Sequence, residues 1–453
     1  SRLAFCISSS SGSMASRSAL ATSWPDLSTA IQFVVQEHGF NLHEAGRRGI
    51  RKARSSAPSA QSEVRLFGGE QRDLRVTLYR DNHAWCPYCH KVWMQLEEKQ
   101  IPYRVEKVSM NCYGQKRRDF LEKTPRGLLP ALEIDGRFMT ESSRIMQKIE
   151  ECFPESNPLV LRGTPQLLDL ERQLFGAWLN WLRGEESARA RKMFESAMNA
   201  TEQALKATGG PYFGGKDITL ADCVFASSLE RIAASILYYK GMRIRGERWP
   251  YVEAWFREME TRDSYKASRS DYHTHCHDLP PQIGGCIASG SAEQRAAAAA
   301  IDGTDGSWNL PLPPLTVDSL EPGLEDPVLD KLEAANALVH CHEGVLRAAR
   351  GNEAADAAYR CVVQALIVGT DDLQKSEQAL AQGQLDASAA AALRYTRDRI
   401  SVPRDMSFAA ARQLRAHLNW AAEIIDPSKG WKGVPLTTGD RRDTDPRNFG
   451  ASL

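Results

Sequence analysis

The 453-residue chain lacks three features that would set it apart from ordinary globular proteins. It has no run of about 20 apolar residues, the length that a helix needs to span a bilayer, and this predicts a soluble protein. It has no net charge, with 57 basic and 57 acidic side chains, so nucleic acid is a poor candidate partner. Its 10 cysteines are too few for a small disulfide-stapled scaffold, which favours a reducing compartment.

The first seventy residues contain little that predicts a folded domain. We expect residues 1–13 to be a leader and Met14 to be the start. Residues 16–62 are rich in Ser, Ala and Arg, as in a transit peptide. Residues 24–40 nevertheless predict a short amphipathic helix capped near Asp26, which a cleaved peptide does not need. The cytoplasm and a plastid both stay open, and we assign residues 1–73 to a partly disordered extension.

The remaining chain divides by its pattern into an α/β region and two helical regions. Residues 74–156 predict the order β-α-β-α-β-β-α, with Asp135-Gly136 as the turn of a hairpin. Residues 160–283 show helical spacing throughout, and residues 326–426 predict about four further helices. Between them, residues 284–325 are rich in Gly, Ala and Pro and predict a linker, while residues 427–453 predict a mobile tail.

The motif Cys86-Pro87-Tyr88-Cys89 lies between a predicted strand and a predicted helix. At a helix N-terminus, the unpaired N–H groups and the helix dipole favour a thiolate on the first cysteine, which makes it a nucleophile. The second cysteine, one turn later, can resolve a mixed disulfide. The alternative is half of a zinc site, which needs a second Cys or His pair, and Cys112 and Cys152 are isolated.

Three features follow one another in the chain: the cysteine motif, Leu129-Pro130 before a strand, and Glu141-Ser142 at the start of a helix. This order resembles the glutathione-binding half of a cysteine-type glutathione transferase. The motif itself is of glutaredoxin type. Residues 217–232 resemble the all-α half of that family, with Thr219 and Asp222 as a capping box. The sequence is most similar to the iota class of cyanobacteria and algae. The segments that carry this resemblance are 79–93, 125–137, 272–286 and 393–407.

The resemblance implies a fold for residues 22–425. It implies a thioredoxin-like α/β domain over 74–156, followed by the all-α C-terminal domain of a glutathione transferase over 160–283. An additional all-α domain then covers residues 326–426.

The resemblance also implies a glutathione site. Cys86 would be the catalytic cysteine, with Trp85 and Tyr88 beside it. The backbone of Leu129 would pair with the cysteinyl unit of glutathione, helped by a cis peptide before Pro130. The residues that would hold the charged ends of glutathione are Glu141 and Ser142 for the γ-glutamyl group and Lys116 for the glycyl carboxylate. From the residues alone, Glu141 could equally be a helix-capping acid and Lys116 a solvated surface charge.

Aromatic residues in the helical half are candidates for a hydrophobic substrate pocket. They are Trp178, Trp181, Tyr238 and Tyr239. At helical spacing, aromatic side chains also form ordinary core, so both interpretations stay open.

A second cluster contains His273, His275 and His277. Three imidazoles would suit Zn, Cu or Ni if the chain is extended, because alternate side chains then share one face. The alternative, which we prefer, is that they hold the chain in place by hydrogen bonds. His340 and His342 are two apart on a predicted helix, so their rings diverge and a structural role is expected.

The leading functional hypothesis is thiol transfer or deglutathionylation, with glutathione as cosubstrate and a small disulfide or electrophile as partner. Conjugation of glutathione to electrophiles is less favoured, because a cysteine at this position competes by forming a disulfide. Reduction of dehydroascorbate or of a quinone is a variant. The alternative from another class is a non-catalytic redox-sensing module whose residues 326–426 bind a protein. Related transferases are usually dimers, and the extra domain could cover that surface.

Overall fold

A computed structural model describes residues 22–39, 61–159, 164–323, 325–368, 380 and 385–427. The chain divides into two units, one of residues 53–302 and one of residues 1–52 with 303–453. Within the described ranges, no helix is both long enough and apolar enough to cross a membrane.

The strands are β1 (Val64–Arg65), β2 (Val76–Asp81), β3 (Tyr103–Val108), β4 (Ala131–Ile134) and β5 (Arg137–Thr140). The helices are α1 (Trp24–Glu37), α2 (Pro87–Lys99), α3 (Arg118–Lys123), α4 (Ser142–Cys152), α5 (Thr164–Arg183), α6 (Ala188–Thr208), α7 (Leu220–Lys240), α8 (Pro250–Met259), α9 (Asp263–Ser268), α10 (Tyr272–Ile283), α11 (Ala292–Asp302), α12 (Pro327–Ala349), α13 (Glu353–Val368), α14 (Ala387–Arg399) and α15 (Phe408–Ile425).

The first unit begins with a five-stranded sheet in the order β1-β3-β2-β4-β5. Only β2 and β3 pair in parallel, and the other neighbours are antiparallel. The predicted order β-α-β-α-β-β-α is confirmed from β2 to α4, and the fold is thioredoxin-like. The start of the sheet differs from the prediction, because β1 lies inside the segment 1–73 that we assigned to an extension. A two-residue edge strand carries too little alternation to be recognised in a sequence.

The predicted hairpin at Asp135-Gly136 is confirmed. The two residues have φ values of +51° and +77°, as a type I′ turn requires. The turn sets the register of β4 on β5 and, with the pairing of β2 and β4, places Ala131 between Tyr79 and Thr140.

Helix α7 is the centre of the helical part of this unit. It is buried almost all round and packs against α2, α5, α10 and α11. Its predicted capping box is confirmed, with Asp222 accepting from the backbone N–H of Thr219 at 2.7 Å. The contact of α7 with α2 means that the helix following the cysteine motif rests directly on the all-α part.

The predicted linker over 284–325 is wrong in its first half, because residues 292–302 form α11. The alanines at 296–300 contribute to the composition that predicts a linker, yet alanine has the highest helix propensity of all residues. The side-chain amide of Gln294 donates to the carbonyl oxygen of Tyr238 at 2.7 Å, which holds α11 against α7. The helical part of this unit therefore continues to Asp302 and does not stop at residue 283.

The second unit contains the four predicted helices as α12 to α15. Helix α1 packs against α12 and α13 with Leu27, Ile31, Val34 and Val35 buried. A capping box between Ser23 and Asp26 starts α1, and the sequence had indicated a cap near Asp26. The segment that we assigned to an extension therefore supplies part of the core of this unit. The predicted leader at 1–13, Met14 and the tail from residue 428 lie outside the described residues.

The histidines of α12 make backbone contacts. His340 Nδ1 lies 2.8 Å from the carbonyl oxygen of Asn336, and His342 Nδ1 lies 2.7 Å from that of Val339. The ring of His342 also stacks on Trp24 of α1 at 4.2 Å between centroids. These contacts agree with the structural role expected for both residues.

Candidate active site

Three separated segments meet at one edge of the sheet. Strand β2 ends at Asp81 and leads to Cys86, β4 begins directly after Pro130, and β5 ends directly before Glu141. Because Ala131 pairs with Tyr79 on one side and with Thr140 on the other, these ends lie side by side. The Leu129-Pro130 peptide bond is cis, as predicted. The sheet register therefore brings together the segments that the sequence proposed for glutathione.

Cys86 is the more accessible of the two motif sulfurs. It is the N-cap residue of α2 with 8% of its surface exposed, whereas Cys89, in the first turn, is 1% exposed. Burial raises the pKa of the Cys89 thiol well above its usual value, and a hydrogen bond to Cys86 and the charges of Cys86 and Asp81 add to this. A substrate therefore meets Cys86 first, with a protonated Cys89 behind it.

Three cations lie near enough to Cys86 for a charge on its sulfur to influence their pKa. Burial lowers the pKa of Lys91, Lys116 and Arg231, and in each case the charge of a Cys86 thiolate acts in the opposite direction. The ammonium of Lys116 donates to the carbonyl oxygen of Ser109 at 2.5 Å. Lys116 is thus half-buried beside the motif and is not the solvated surface charge that was the alternative interpretation.

Asp81 is a functional candidate that the sequence analysis missed. It is fully buried, and its Oδ2 accepts from the backbone N–H of Trp85 at 2.7 Å. Its Oδ1 has no hydrogen-bond partner among the residues that the structure describes. One of its carboxylate oxygens and the sulfurs of Cys86 and Cys89 lie within 4.8 Å of one another. The feature of the sequence that could have identified Asp81 is an acidic residue at the end of the strand before the motif.

The same three groups bear on the zinc alternative. A zinc site at the motif would need a second Cys or His pair as ligands. In the structure, the group close to the two thiols is instead the carboxylate of Asp81. Two sulfurs and an oxygen are three donors, fewer than the four of a structural zinc site. The arrangement therefore supports thiol chemistry better than a closed structural metal site.

A buried charge network lies beneath residues 82–86, the loop between β2 and α2 that is here called the active-site loop. Arg231 donates to the carbonyl oxygen of Trp85, and its guanidinium carbon lies 5.0 Å from the centre of the Trp85 ring. Glu230, beside it on α7, has an oxygen 2.7 Å from Nε2 of His275. On α2, Nε2 of His90 lies 3.1 Å from Oγ of Ser268. The network joins α2, α7 and α10 and fixes the residue that precedes Cys86.

The charges of this network are set by burial and by its members. Burial lowers the pKa of His90 to about 4, so this ring is neutral at pH 7. Burial alone would raise the pKa of Glu230, but its interactions with His90, His275 and Arg231 lower it. When both rings are neutral, the hydrogen bond from His275 and the charge of Arg231 still favour the carboxylate. The result is one carboxylate and one guanidinium, both buried, with neutral imidazoles on either side. Sequence analysis missed it because its members are far apart in the chain.

The histidine cluster lies on helix α10, so the extended chain that would place all three imidazoles on one face is not present. On α10, residues two apart point in different directions, so His275 turns to Glu230 while His273 and His277 share the other face. Asp278 accepts from the hydroxyl of Tyr113 at 3.0 Å, and Tyr113 stacks on His83 of the active-site loop at 4.0 Å. For His275, the hydrogen-bonding alternative is the one that the geometry supports.

Glu141 occupies a backbone conformation that is unusual for a residue with a side chain. Its φ is +72°, a region that favours glycine, and α4 begins at the next residue, Ser142. Such strain is typically retained at functional sites, where the surrounding structure holds it in place. The side chain of Glu141 is exposed and that of Ser142 is buried. This favours a binding role for Glu141 over simple helix capping.

The predicted pocket aromatics mainly form core. Trp178 and Trp181 are each 1% exposed, and their indole N–H groups donate to Ser235 and Glu186 at 2.9 and 3.2 Å. Tyr238 donates to Asp302 at 2.8 Å. The structure therefore places these three side chains in internal contacts.

Tyr239 has a specific structural partner. Its hydroxyl donates at 2.8 Å to the carbonyl oxygen of Cys276, whose helical partner would be the N–H of residue 280. That residue is Pro280, which has no N–H. Tyr239 thus satisfies a carbonyl that the proline leaves open, and α10 continues past it.

Tyr88 is the aromatic side chain that faces solvent at the motif, with 48% of its surface exposed. Its ring centroid lies 6.3 Å from that of Phe175 on α5, and Phe175 lies 5.2 Å from Trp178. Phe175, which the sequence analysis did not name, therefore lines the space next to the motif together with Tyr88.

Comparison with known proteins agrees with this geometry. Residues 85–152 match the model of the glutathione S-transferase N-terminal domain, and residues 184–258 match the model of its C-terminal domain. Glutathione S-transferase DHAR2 of Arabidopsis thaliana is 26% identical over 41% of this chain and 84% of its own length.

Solved structures show similar coverage. A dehydroascorbate reductase of Chlamydomonas reinhardtii is 22% identical, covers 44% of this chain and 94% of its own, and has a TM-score of 0.38. Glutathione transferase Omega 3C of Trametes versicolor is 28% identical, covers 44% and 90%, and has a TM-score of 0.38. Helices α12 to α15 lie beyond the range of both family models. Residues 85–152 and 184–258 are therefore similar to the N-terminal and C-terminal domains of glutathione S-transferases, and the chain is distantly similar to DHAR proteins.

Proposed function

We propose that the protein is a glutathione-dependent thiol transferase that removes glutathione from mixed disulfides. The observation that carries this proposal is the unequal exposure of the two motif sulfurs. Cys86 lies at the N-terminus of α2 and is the less buried of two buried cysteines, with Cys89 more deeply enclosed. A nucleophile at a helix N-terminus, close to three cations, suits attack on a disulfide.

The reaction has two displacement steps. The Cys86 thiolate attacks the glutathionyl sulfur of a mixed disulfide, forming a Cys86–glutathione disulfide, and the substrate leaves as a thiolate that takes a proton. A second glutathione then attacks as its thiolate and releases glutathione disulfide, which restores the Cys86 thiolate. Cys89 is buried and burial raises its pKa, which favours glutathione over Cys89 as the thiol of the second step.

Glutathione would lie along the sheet edge that the register creates. The backbone of Leu129, before the cis bond to Pro130, would pair with its cysteinyl unit. Glu141 and Ser142 would hold the γ-glutamyl end at the start of α4, where N–H groups favour a carboxylate. Lys116 would meet the glycyl carboxylate, with Trp85 and Tyr88 on either side of the sulfur.

Dehydroascorbate reduction is the second candidate. It is favoured by the names of several relatives, including DHAR2 of Arabidopsis thaliana and the probable DHAR1 of Oryza sativa, which is 28% identical. In this reaction two glutathione molecules supply two electrons and two protons and become one disulfide. The same Cys86 would carry the intermediate. Membership of the iota class remains a proposal that rests on the four segments of the sequence.

Activity with a small disulfide tests the proposal. Wild type, Cys86→Ser, Cys89→Ser and the control Cys112→Ser are compared with 2-hydroxyethyl disulfide plus glutathione, and in parallel with dehydroascorbate plus glutathione. We expect Cys86→Ser to be inactive, and Cys89→Ser and Cys112→Ser to keep most of the activity. Equal loss in Cys86→Ser and Cys89→Ser would instead show a dithiol mechanism.

Two other outcomes would replace the proposal. Full activity in Cys86→Ser would show that this sulfur is not the nucleophile. No activity of the wild type with either substrate would favour the alternative of a redox-sensing module, in which α12 to α15 bind a protein.

A further inference from the structure

We propose that His273, His277 and Asp302, here called the His–Asp cluster, form a binding site for a divalent transition-metal ion such as Zn²⁺. The cluster lies in the first unit, between the face of α10 that carries the buried His273 and the partly buried His277 and the last residue of α11. It is separate from the cysteine motif, and the proposed thiol transfer does not use it.

The positions of the donor atoms support the proposal. His273 and His277 are four residues apart on one helix, and their ring centroids lie 4.4 Å apart. Nε2 of His277 lies 2.7 Å from Oδ1 of Asp302, and one donor atom of each residue lies within 4.8 Å of the others. Zinc ligands about 2.1 Å from the ion lie roughly 3.4 Å apart in a tetrahedron. Small side-chain rotations therefore bring all three groups onto one ion.

The carboxylate is already oriented by a neighbour. The hydroxyl of Tyr238 donates to Oδ2 of Asp302 at 2.8 Å, which leaves Oδ1 directed at His277. Groups that fix a ligand in this way are a regular part of metal sites. Helices α10 and α11 both pack on α7, so the three ligands lie on elements that hold their spacing.

Exposure and chemistry are also suitable. The side chains of His277 and Asp302 are 19% and 22% exposed, so an ion can enter from solvent. Two imidazoles and one carboxylate are a donor set that suits Zn²⁺, Cu²⁺ and Ni²⁺. Three protein ligands leave one tetrahedral position for water. His275, the third histidine of the sequence cluster, is excluded because its Nε2 contacts Glu230.

The competing interpretation is that His277 and Asp302 only form a pair that ties α11 to α10. Such a pair accounts for their contact, whereas a metal site also explains why a donor atom of His273 lies within 4.8 Å of both. The pair alone predicts that added Zn²⁺ changes nothing at this place.

Titration of the full chain with Zn²⁺ distinguishes the two interpretations. The Cys86→Ser/Cys89→Ser background is used, because those sulfurs and Asp81 also lie within 4.8 Å of one another. Binding is measured by competition with a coloured chelator, by elemental analysis after dialysis, and by the change in melting temperature. We expect one equivalent of Zn²⁺ and a higher melting temperature in its presence.

Variants in this background locate the ion. His273→Ala and Asp302→Asn should each weaken binding by at least about tenfold, and Tyr238→Phe by about tenfold, as for other groups that orient a ligand. His340→Ala, on α12, should bind as tightly as the background. The melting temperature without metal shows whether each variant is folded. If His273→Ala does not fold, Asp302→Asn still tests the site, because it keeps the size of the side chain.

The proposal fails if the background binds no Zn²⁺ at tens of micromolar. It also fails if His273→Ala and Asp302→Asn bind the ion as well as His340→Ala does, because the ion would then occupy another site. Either result leaves the His277–Asp302 pair as a structural contact.

Discussion

At the scale of single residues, Glu230 is the side chain that best explains why the active-site loop keeps its shape. It is buried between two imidazoles and the guanidinium of Arg231, and Arg231 in turn holds the carbonyl oxygen of Trp85. A buried charge of this kind is stable only while its partner is present. The position of Cys86 thus depends on an acid from a different domain of the transferase fold.

We expect Glu230→Gln to impair both stability and thiol transfer. The substitution keeps the shape of the side chain but leaves Arg231 as an uncompensated buried charge, which costs about 3–5 kcal/mol. Urea unfolding should show this loss, and kinetics under conditions where the variant is folded should show a lower kcat for the small disulfide. The exposed Glu185→Gln is the matched control. An unchanged unfolding midpoint would show that the network does not stabilise this loop.

At the scale of elements, α1 has a larger role than its place in the chain indicates. The Ser23–Asp26 capping box starts this helix, Pro25 lies in its first turn, and one face is buried against α12 and α13. Its pattern predicted a helix, but no local signal states which surface an amphipathic helix covers. The buried positions show that α1 belongs to the core of the second unit.

We therefore expect Ile31→Ala in α1 to destabilise that unit by about 2–5 kcal/mol, because it removes a fully buried side chain. Hydrogen exchange followed by mass spectrometry should show faster exchange in peptides of α12 and α13. Gln36→Ala, at an exposed position of the same helix, should leave exchange unchanged. Equal exchange in the two variants would mean that α1 does not contribute to this core.

At the scale of the whole molecule, both units contain a buried histidine whose titration opposes folding in acid. Burial lowers the pKa of His90 in the first unit and of His417 in the second to about 4. In the unfolded chain both rings titrate near 6.5, so the unfolded state binds more protons between pH 6.5 and 4. Stability is therefore full above pH 6.5 and falls as the pH approaches 4.

For His417 this difference corresponds to roughly 3 kcal/mol across that range. Urea unfolding of the full chain at pH 7, 6, 5 and 4.5 should show a falling free energy of unfolding. In His417→Gln, which has no ionisable ring, the part of this fall that comes from His417 should disappear. The same pH dependence in the variant and in the wild type would contradict a neutral, buried His417.

Local patterns were sufficient for most of the elements and for the residues of the cysteine motif. The alternation of β2, the Asp135-Gly136 turn and the spacing of α12 to α15 are properties of neighbouring residues, which act at short range in any context. They failed where one local pattern allows two outcomes, as in the alanine run of α11 and the short strand β1. There, contact with α7 or β3 decided the structure.

The sequence by itself determined the strand and helix order from β2 to α4, and its resemblance to a known family implied Cys86 as the nucleophile and the cis bond before Pro130. Only the tertiary structure decided the environment of that nucleophile. The buried Asp81, the contact of Arg231 with Trp85 and the separation of His275 from His273 and His277 depend on how distant elements pack. A side chain's charge and hydrogen bonds depend on which groups surround it after folding, and no spacing within one segment encodes those neighbours.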